Sequence, residues 1–271
     1  MKRIIKNLFL LVVIVVAAKF LLTVFGKDLS HGHPERIVLG NWTEQRVETL
    51  IKRAGSKDGH GAKIEFLSES FLETPYAGNT LGGGSGQTEQ LTVDLSGLDC
   101  FTYIDYVESL RLSESFGEFK EKLAKIRYKD GAVRWEERKH FFSDWVSGDD
   151  QNARDVTREI GADATIAVTK ELNRKTDGSP WLPGLASVKR EISYIPSHKI
   201  GPTVLWEIKT GDYLGVYSDK DGLDVSHTGI AVRKDGGFYL RHASTVHGKV
   251  LDEELVSYMK NKPGLLVYRV K

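Results

Sequence analysis

A single cysteine, Cys100, stands among 271 residues. The start of the chain reads as an export signal, yet a lone thiol cannot form an intramolecular disulfide. Such a thiol in an exported chain calls for another explanation, and nucleophilic catalysis has the most support. The chain is 40% hydrophobic and 28% charged, with 10 Tyr, 11 Phe and 5 Trp. That composition supplies ample core-forming residues for one large domain or two small ones. The formal net charge is +1, and the scattered basic residues carry no nucleic-acid-binding motif. Nucleic acid is not an expected partner.

At the N-terminus, Lys2, Arg3 and Lys6 precede an apolar run from Leu8 to Ala18. Lys19 interrupts it, and Phe20 to Phe25 extend it. This is the pattern of a charged n-region and an apolar h-region. Val16-Ala17-Ala18 offers a cleavage site, while the continuing apolar residues allow a retained span. Residues 1–27 are therefore expected to be a signal peptide or membrane anchor, with residues 8–25 as the segment in the inner membrane. No cysteine near residue 20 supports a lipid anchor. Residues 28–271 are expected to form one domain in the periplasm or cell envelope.

Residues 28 to 36 read as a linker. Thr43 is placed to cap a helix from Glu44 to about Ala54, and Gly55, Gly59 and Gly61 break it. A second helix is expected over Ala62 to Leu72, ending before Thr74-Pro75. The glycine-rich run Tyr76 to Gly86 lacks the Lys-Ser/Thr ending of a phosphate-binding loop. Leu91 to Leu95 is strand-like. Cys100, Tyr103, Ile104, Val107 and Leu110 then recur at helical spacing. This places the thiol at a helix N-terminus, where free amides and the helix dipole favour a thiolate. Asp99 fits as the N-cap of that helix.

Phe116 to Ile126 reads as helix, Phe141 to Trp145 as an aromatic core cluster, and Asp155 to Gly161 as a short helix. Tyr213 to Tyr217, Ser226 to Arg233, Phe238 to Ser244 and Leu265 to Val270 read as consecutive antiparallel strands, with a hairpin turn at Lys234 to Gly237. Helices followed by a meander define an α+β fold.

A cysteine amidase needs a thiolate, an imidazole that accepts the thiol proton, and a polar group that orients the imidazole. Cys100 and His227 supply the first two. On the following strand Phe238, Leu240 and His242 share one face, and a hairpin brings His242 toward His227 as the orienting residue. Gly229 and Ala231 leave space beside His227. The competing readings are an inert buried cysteine and structural histidines. A zinc site drawn from His31, His33, His227, His242 and His247 lacks an HExxH or cysteine-pair motif. No metal and no cofactor are expected.

Seven segments occur in the order of a known family. They are Thr74-Pro75-Tyr76, Leu98-Asp99-Cys100-x-Thr102, Phe141-Phe142-Ser143-Asp144-Trp145, Tyr194-Ile195-Pro196, Gly211-Asp212, His227-Thr228-Gly229-Ile230 and His242-Ala243-Ser244. Over about residues 40 to 271 the chain resembles the N-acetylmuramoyl-L-alanine amidase-like family, formerly DUF1460, of the NlpC/P60 group of papain-like cysteine hydrolases. The resemblance implies a papain-like fold with N-terminal helices packed on an antiparallel sheet. It also implies Cys100 as nucleophile, His227 as base and His242 as the third polar residue. Tyr76 and Asp99 take the family's substrate-binding positions, and backbone N–H groups at the helix start hold the oxyanion. One departure stands out. Where the family has a Thr-Thr-Phe-Val-Glu type of run after the cysteine, this chain has Phe101-Thr102-Tyr103-Ile104-Asp105.

The resemblance implies hydrolysis of an amide in peptidoglycan, between N-acetylmuramic acid and L-alanine, with a muropeptide as partner. The alternatives are cleavage between γ-D-glutamate and the diamino acid of the same peptide, a non-catalytic wall-binding module, or acyl transfer to a lipid.

Overall fold

The computed structural model describes residues 33–271. The expected signal or anchor and His31 lie outside the described residues. Among those described, no helix is long and apolar enough to cross a membrane.

Strand β1, Glu35–Val38, lies where a linker was expected, because residues 35–38 pair in parallel with β2, Leu91–Asp94. Between them run α1, Glu44–Gly55, and α2, Gly59–Glu69. The Thr43 hydroxyl caps α1 by accepting from Arg46 N at 3.2 Å. Val47, Leu50, Ile51 and Ala54 form its buried stripe. Helix α2 begins at Gly59, ahead of the expected start at Ala62, so Gly59 and Gly61 lie within it rather than breaking it. At Gly61 a Cβ would come within 2.5 Å of the Thr210 carbonyl oxygen. The glycine serves this close approach of chain to chain.

Helices α3, Cys100–Arg111, and α4, Phe116–Arg127, follow, and then a run of short turns of helix that includes Phe142–Val146. The second half comprises β3 (Arg154–Asp155), α5 (Thr157–Gly161), β4 (Ile166–Leu172), β5 (Val188–Pro196), α6 (Pro202–Glu207), β6 (Tyr213–Tyr217), β7 (Val225–Lys234), β8 (Gly237–Ser244), β9 (Lys249–Glu254), α7 (Leu255–Met259) and β10 (Gly264–Arg269). The fold is α+β, and Glu35–Lys271 forms one unit.

The large sheet runs β4-β5-β10-β6-β7-β8-β9, with β3 also on β10. Every pairing in it is antiparallel. It departs from the expected meander because the last strand inserts between β5 and β6. The alternation of β10 explains this place. Leu266 and Tyr268 point into one core with the helices α1 to α4. Leu265 and Val267 point into a second core with α5, α6 and α7. A strand apolar on both faces belongs in the interior of a covered sheet. The hairpin of β7 and β8 turns at Asp235 and Gly236, both at positive φ (51° and 75°). These are the backbone angles of a type I′ turn, whose twist suits a two-residue hairpin.

Two ties fix the helical layer to the sheet. The Thr228 hydroxyl on β7 donates to the Cys100 carbonyl at 2.8 Å. At the other end of α3, the Tyr213 hydroxyl on β6 donates to Glu108 Oε2 at 2.9 Å. Helix α3 and strand β7 both contribute residues to the cleft that holds the lone thiol.

Candidate active site

Cys100 is the first residue of α3, and Asp99 is its N-cap. Asp99 Oδ1 accepts from Phe101 N (2.9 Å), Thr102 N (2.7 Å) and the Thr102 hydroxyl (2.9 Å). The Thr102 hydroxyl oxygen in turn accepts from Asp99 N at 3.0 Å. This reciprocal box fixes the direction in which the helix starts, and with it the Cα–Cβ direction of Cys100. The cap expected of Asp99 is therefore its observed structural role.

Cys100 and His227 line one cleft of about 280 Å³. Phe101, Phe141, Trp181, Leu182 and Leu223 give it apolar walls, and His140 stands at its edge. The two reactive side chains share the cleft without a hydrogen bond between them. Burial pushes the Cys100 thiol up to about 11, and the neighbouring Asp99 charge adds to this. Hydrogen bonds from Thr228 and from its own backbone N–H act in the opposite direction and are outweighed. The thiolate expected at a helix N-terminus is thus not the favoured form here, because desolvation of the charge exceeds the stabilisation by amides.

A β-bulge positions His227. Val216 pairs with His227, yet Tyr217 pairs with Val225, so Ser226 is the extra residue. An extra residue reverses the alternation of faces from that point on. Val225 packs toward the helical core, whereas His227 shares its face with Ala231, whose neighbours lie in the second core.

His227 Nε2 lies 2.6 Å from His242 Nδ1. The rings meet edge to face, with centroids 4.8 Å apart and planes at 89°. Gly229 is the register partner of His242 on the neighbouring strand, and a Cβ there would come 3.0 Å from His242 Cβ. The small residue noted in the sequence leaves room for this ring pair. Burial, followed by the positive charges of His242 and Lys262, holds His227 down to about 3. Burial also lowers His242, which is 1% exposed. Burial thus disfavours the charged form of both imidazoles.

Tyr76 pairs with Leu98, just ahead of Asp99 and Cys100, and burial, with these two neighbours adding to it, raises its hydroxyl above the usual range. Its segment is held by Tyr76 N donating to the Gly248 carbonyl at 2.8 Å and Leu98 N donating to the Pro75 carbonyl at 3.0 Å. The structure therefore groups Cys100, Asp99 and Tyr76, and separately joins His227, which lines the cleft, to His242 on the next strand. His33 joins neither group, and His247 reaches the second only through Glu253, 3.6 Å from its Nε2. Among the described residues no three His, Cys, Asp or Glu side chains are arranged to hold a metal ion.

Four contributors were not assigned to the site from the sequence. Glu253 Oε2 lies 2.8 Å from His242 Nε2. The Tyr258 ring stands 5.1 Å from His242 and 6.2 Å from His227. Trp181 and Leu182 come from the connection between β4 and β5, and Asn173 fixes them by accepting from Leu182 N at 2.7 Å and donating to the Leu182 carbonyl at 3.1 Å. The alternation of Leu251 and Glu253 places the carboxylate on the His242 face, but only once β9 is recognised as a strand. The two residues in the departing run separate clearly. Phe101 lines the cleft and packs edge-on against Trp145 at 6.3 Å. Asp105 is buried in the core against Arg127.

The site thus sets a lone thiol at a capped helix N-terminus and a histidine pair on an antiparallel sheet within one α+β protein. The family model described as N-acetylmuramoyl-L-alanine amidase-like matches residues 66–265, and the chain belongs to that family. No protein of curated function matches it. Solved structures similar over most of their length include the following two. An N-acetylmuramoyl-L-alanine amidase from Bacteroides uniformis is 27% identical, with a TM-score of 0.63, covering 79% of this chain and 100% of that one. A DUF1460-family protein from Legionella pneumophila has a TM-score of 0.69 at 22% identity, covering 84% and 94% of the two chains. At that identity the likeness speaks for the fold.

Proposed function

We propose that this protein is an exported cysteine amidase of the papain-like NlpC/P60 type. On this reading it hydrolyses the amide between N-acetylmuramic acid and L-alanine in peptidoglycan. The observation that carries the reading is Cys100 at a capped helix start, sharing a cleft with a His227 that is hydrogen-bonded to His242. Family membership supports amide hydrolysis in the cell wall, and the Bacteroides relative bears the name of that activity.

The chemistry follows from a neutral thiol and a neutral imidazole. His227 accepts the thiol proton as sulfur attacks the carbonyl carbon, so the ion pair exists only along the reaction path. The oxyanion is held by backbone N–H groups at the start of α3, including that of Cys100. As the tetrahedral species collapses, the imidazolium gives its proton to the leaving nitrogen of L-alanine. A thioester to Cys100 remains. Water, deprotonated by His227, then releases the muramoyl carboxylate and the free thiol. Asp99 Oδ1 is occupied by the helix cap, and the other carboxylate oxygen and Tyr76 face the substrate. Residues 1–27 act as signal or anchor, and residues 28–271 as the catalytic domain in the periplasm or cell envelope.

Defined muropeptides incubated with the full chain and followed by mass spectrometry test the bond. Release of a free peptide beginning at L-alanine supports the amidase. A cut between γ-D-glutamate and the diamino acid would replace it with the endopeptidase. Binding to sacculi without any cut would make the protein a wall-binding module.

A further inference from the structure

The pair of histidines cannot act as a base in an arbitrary proton arrangement. A neutral imidazole carries one N–H, so each ring has one donor and one acceptor. His227 spends Nε2 on His242, which leaves Nδ1 as the nitrogen available to the thiol. Nδ1 can accept a proton only if the ring's own hydrogen sits on Nε2.

The element that decides this lies at the far end of the chain of contacts. Glu253 is on β9, opposite Leu240 in the register, and its Oε2 lies 2.8 Å from His242 Nε2. A carboxylate accepts and does not donate. His242 must then carry its hydrogen on Nε2, and His242 Nδ1 is an acceptor. The 2.6 Å contact is satisfied only if His227 Nε2 is the donor. We propose that Glu253 is a positioning residue that selects, through His242, the tautomer of His227 whose Nδ1 is free to accept the Cys100 proton. The same carboxylate stabilises positive charge that forms on the histidine pair during turnover.

The rest of the surroundings fits this role. His242 is buried, so solvent does not compete for its nitrogens. Tyr258 packs edge-on against His242, with planes at 67°, which restricts rotation of the ring. The second oxygen of Glu253 lies 3.6 Å from His247 Nε2 at the exposed turn between β8 and β9. With Glu253 removed, the opposite arrangement becomes available. His242 then donates from Nδ1, His227 carries its hydrogen on Nδ1, and the base has no lone pair toward the thiol.

This inference rests on reading Cys100 as nucleophile and His227 as base, but its decisive test needs no substrate. Long-range ¹H–¹⁵N NMR of the histidine-labelled full chain at pH 7 reports which nitrogen of His227 is protonated. The expected result is the Nε2–H tautomer in the wild type and a population of Nδ1–H in Glu253→Gln, whose amide can donate as well as accept. Glu253→Asp should retain the wild-type tautomer. On muropeptides, Glu253→Gln should lower kcat/KM by about 10²-fold or more, up to the ~10⁴-fold lost when a carboxylate bonded directly to the base is neutralised. A wild-type His227 protonated on Nδ1 would overturn the inference. So would an unchanged tautomer in Glu253→Gln, whatever its thermal stability, because Glu253 would then be merely structural. If the tautomer behaves as expected and no muropeptide is cut, the proposed reaction falls instead.

Discussion

Thr228 and Cys100 are separated by 128 positions in sequence, yet the Thr228 hydroxyl donates to the Cys100 carbonyl at 2.8 Å. Thr228 is the residue after His227, and so one hydrogen bond fixes the helix bearing the thiol relative to the strand bearing the base. Thr228→Val keeps the side-chain shape and deletes the bond. The expected cost in stability is about 1 kcal/mol. The loss of kcat/KM on muropeptide should be larger, about 10- to 100-fold, because it misplaces the reacting atoms. Parallel thermal melts and steady-state kinetics check the split.

The Cys100 proton gives a second prediction. With the thiol raised to about 11 and His227 held down to about 3, the neutral pair predominates across the whole neutral range. Absorbance at 240 nm should show no Cys100 thiolate at pH 7, and ionisation should begin only well above pH 9. The kcat/KM profile should be a broad bell, with an acid limb well below 6.5 and an alkaline limb well above 9. A thiolate signal at pH 6 that Cys100→Ala abolishes would contradict this and restore a preformed ion pair.

His227 also links stability to pH. Its folded-state pKa, about 3, lies below the 6.5 of the exposed side chain. Between those values the unfolded chain binds a proton that the folded chain does not, so this group's contribution falls as pH drops from 6.5 toward 3. His227→Gln should therefore lose less melting temperature than the wild type between pH 7 and pH 4. Identical acid slopes for the two proteins would argue against a buried neutral His227.

The carboxylate that departs from the family's glutamate is structural. Asp105 and Arg127 are each 1% exposed at the side chain, with Nε 2.8 Å from Oδ2. Arg127 Nη1 also donates to the Thr92 carbonyl at 2.6 Å. Burial raises Asp105 to about 6 even with the guanidinium opposing it. Asp105→Ala leaves a buried unpaired guanidinium and should destabilise the protein by about 3–5 kcal/mol. Urea denaturation measures this. Asp105→Ala together with Arg127→Met should recover much of the loss, because no lone charge then remains in the core.

Particular residues show how far the sequence could be read. The capped start of α3 was legible because Asp99 and Thr102 are local, and so was the hairpin at Asp235-Gly236. The faces of Gly229, Ala231, Leu240 and His242 followed from period two. The bulge at Ser226 was not legible, since an extra residue in a strand leaves no mark in apolar periodicity. The insertion of β10 between β5 and β6 depends on non-local pairing. Strand β9 was hidden by its charged run Asp252-Glu253-Glu254, in which Asp252 pairs with Arg241 and Lys234 and Glu253 turns to His242. The expected thiolate failed for a related reason, because the depth of burial is a property of the assembled cleft and not of the helix that carries Cys100.

The central claim is that the lone thiol is the nucleophile. The measurement that tests it most directly is the hydrolysis rate of a defined muropeptide by the full chain beside its Cys100→Ala variant, after thermal melts show that both are folded. The account predicts a fall of at least about 10⁴-fold, the scale set by removal of a catalytic nucleophile, with no peptide beginning at L-alanine above background. Hydrolysis at the wild-type rate by the variant would contradict it.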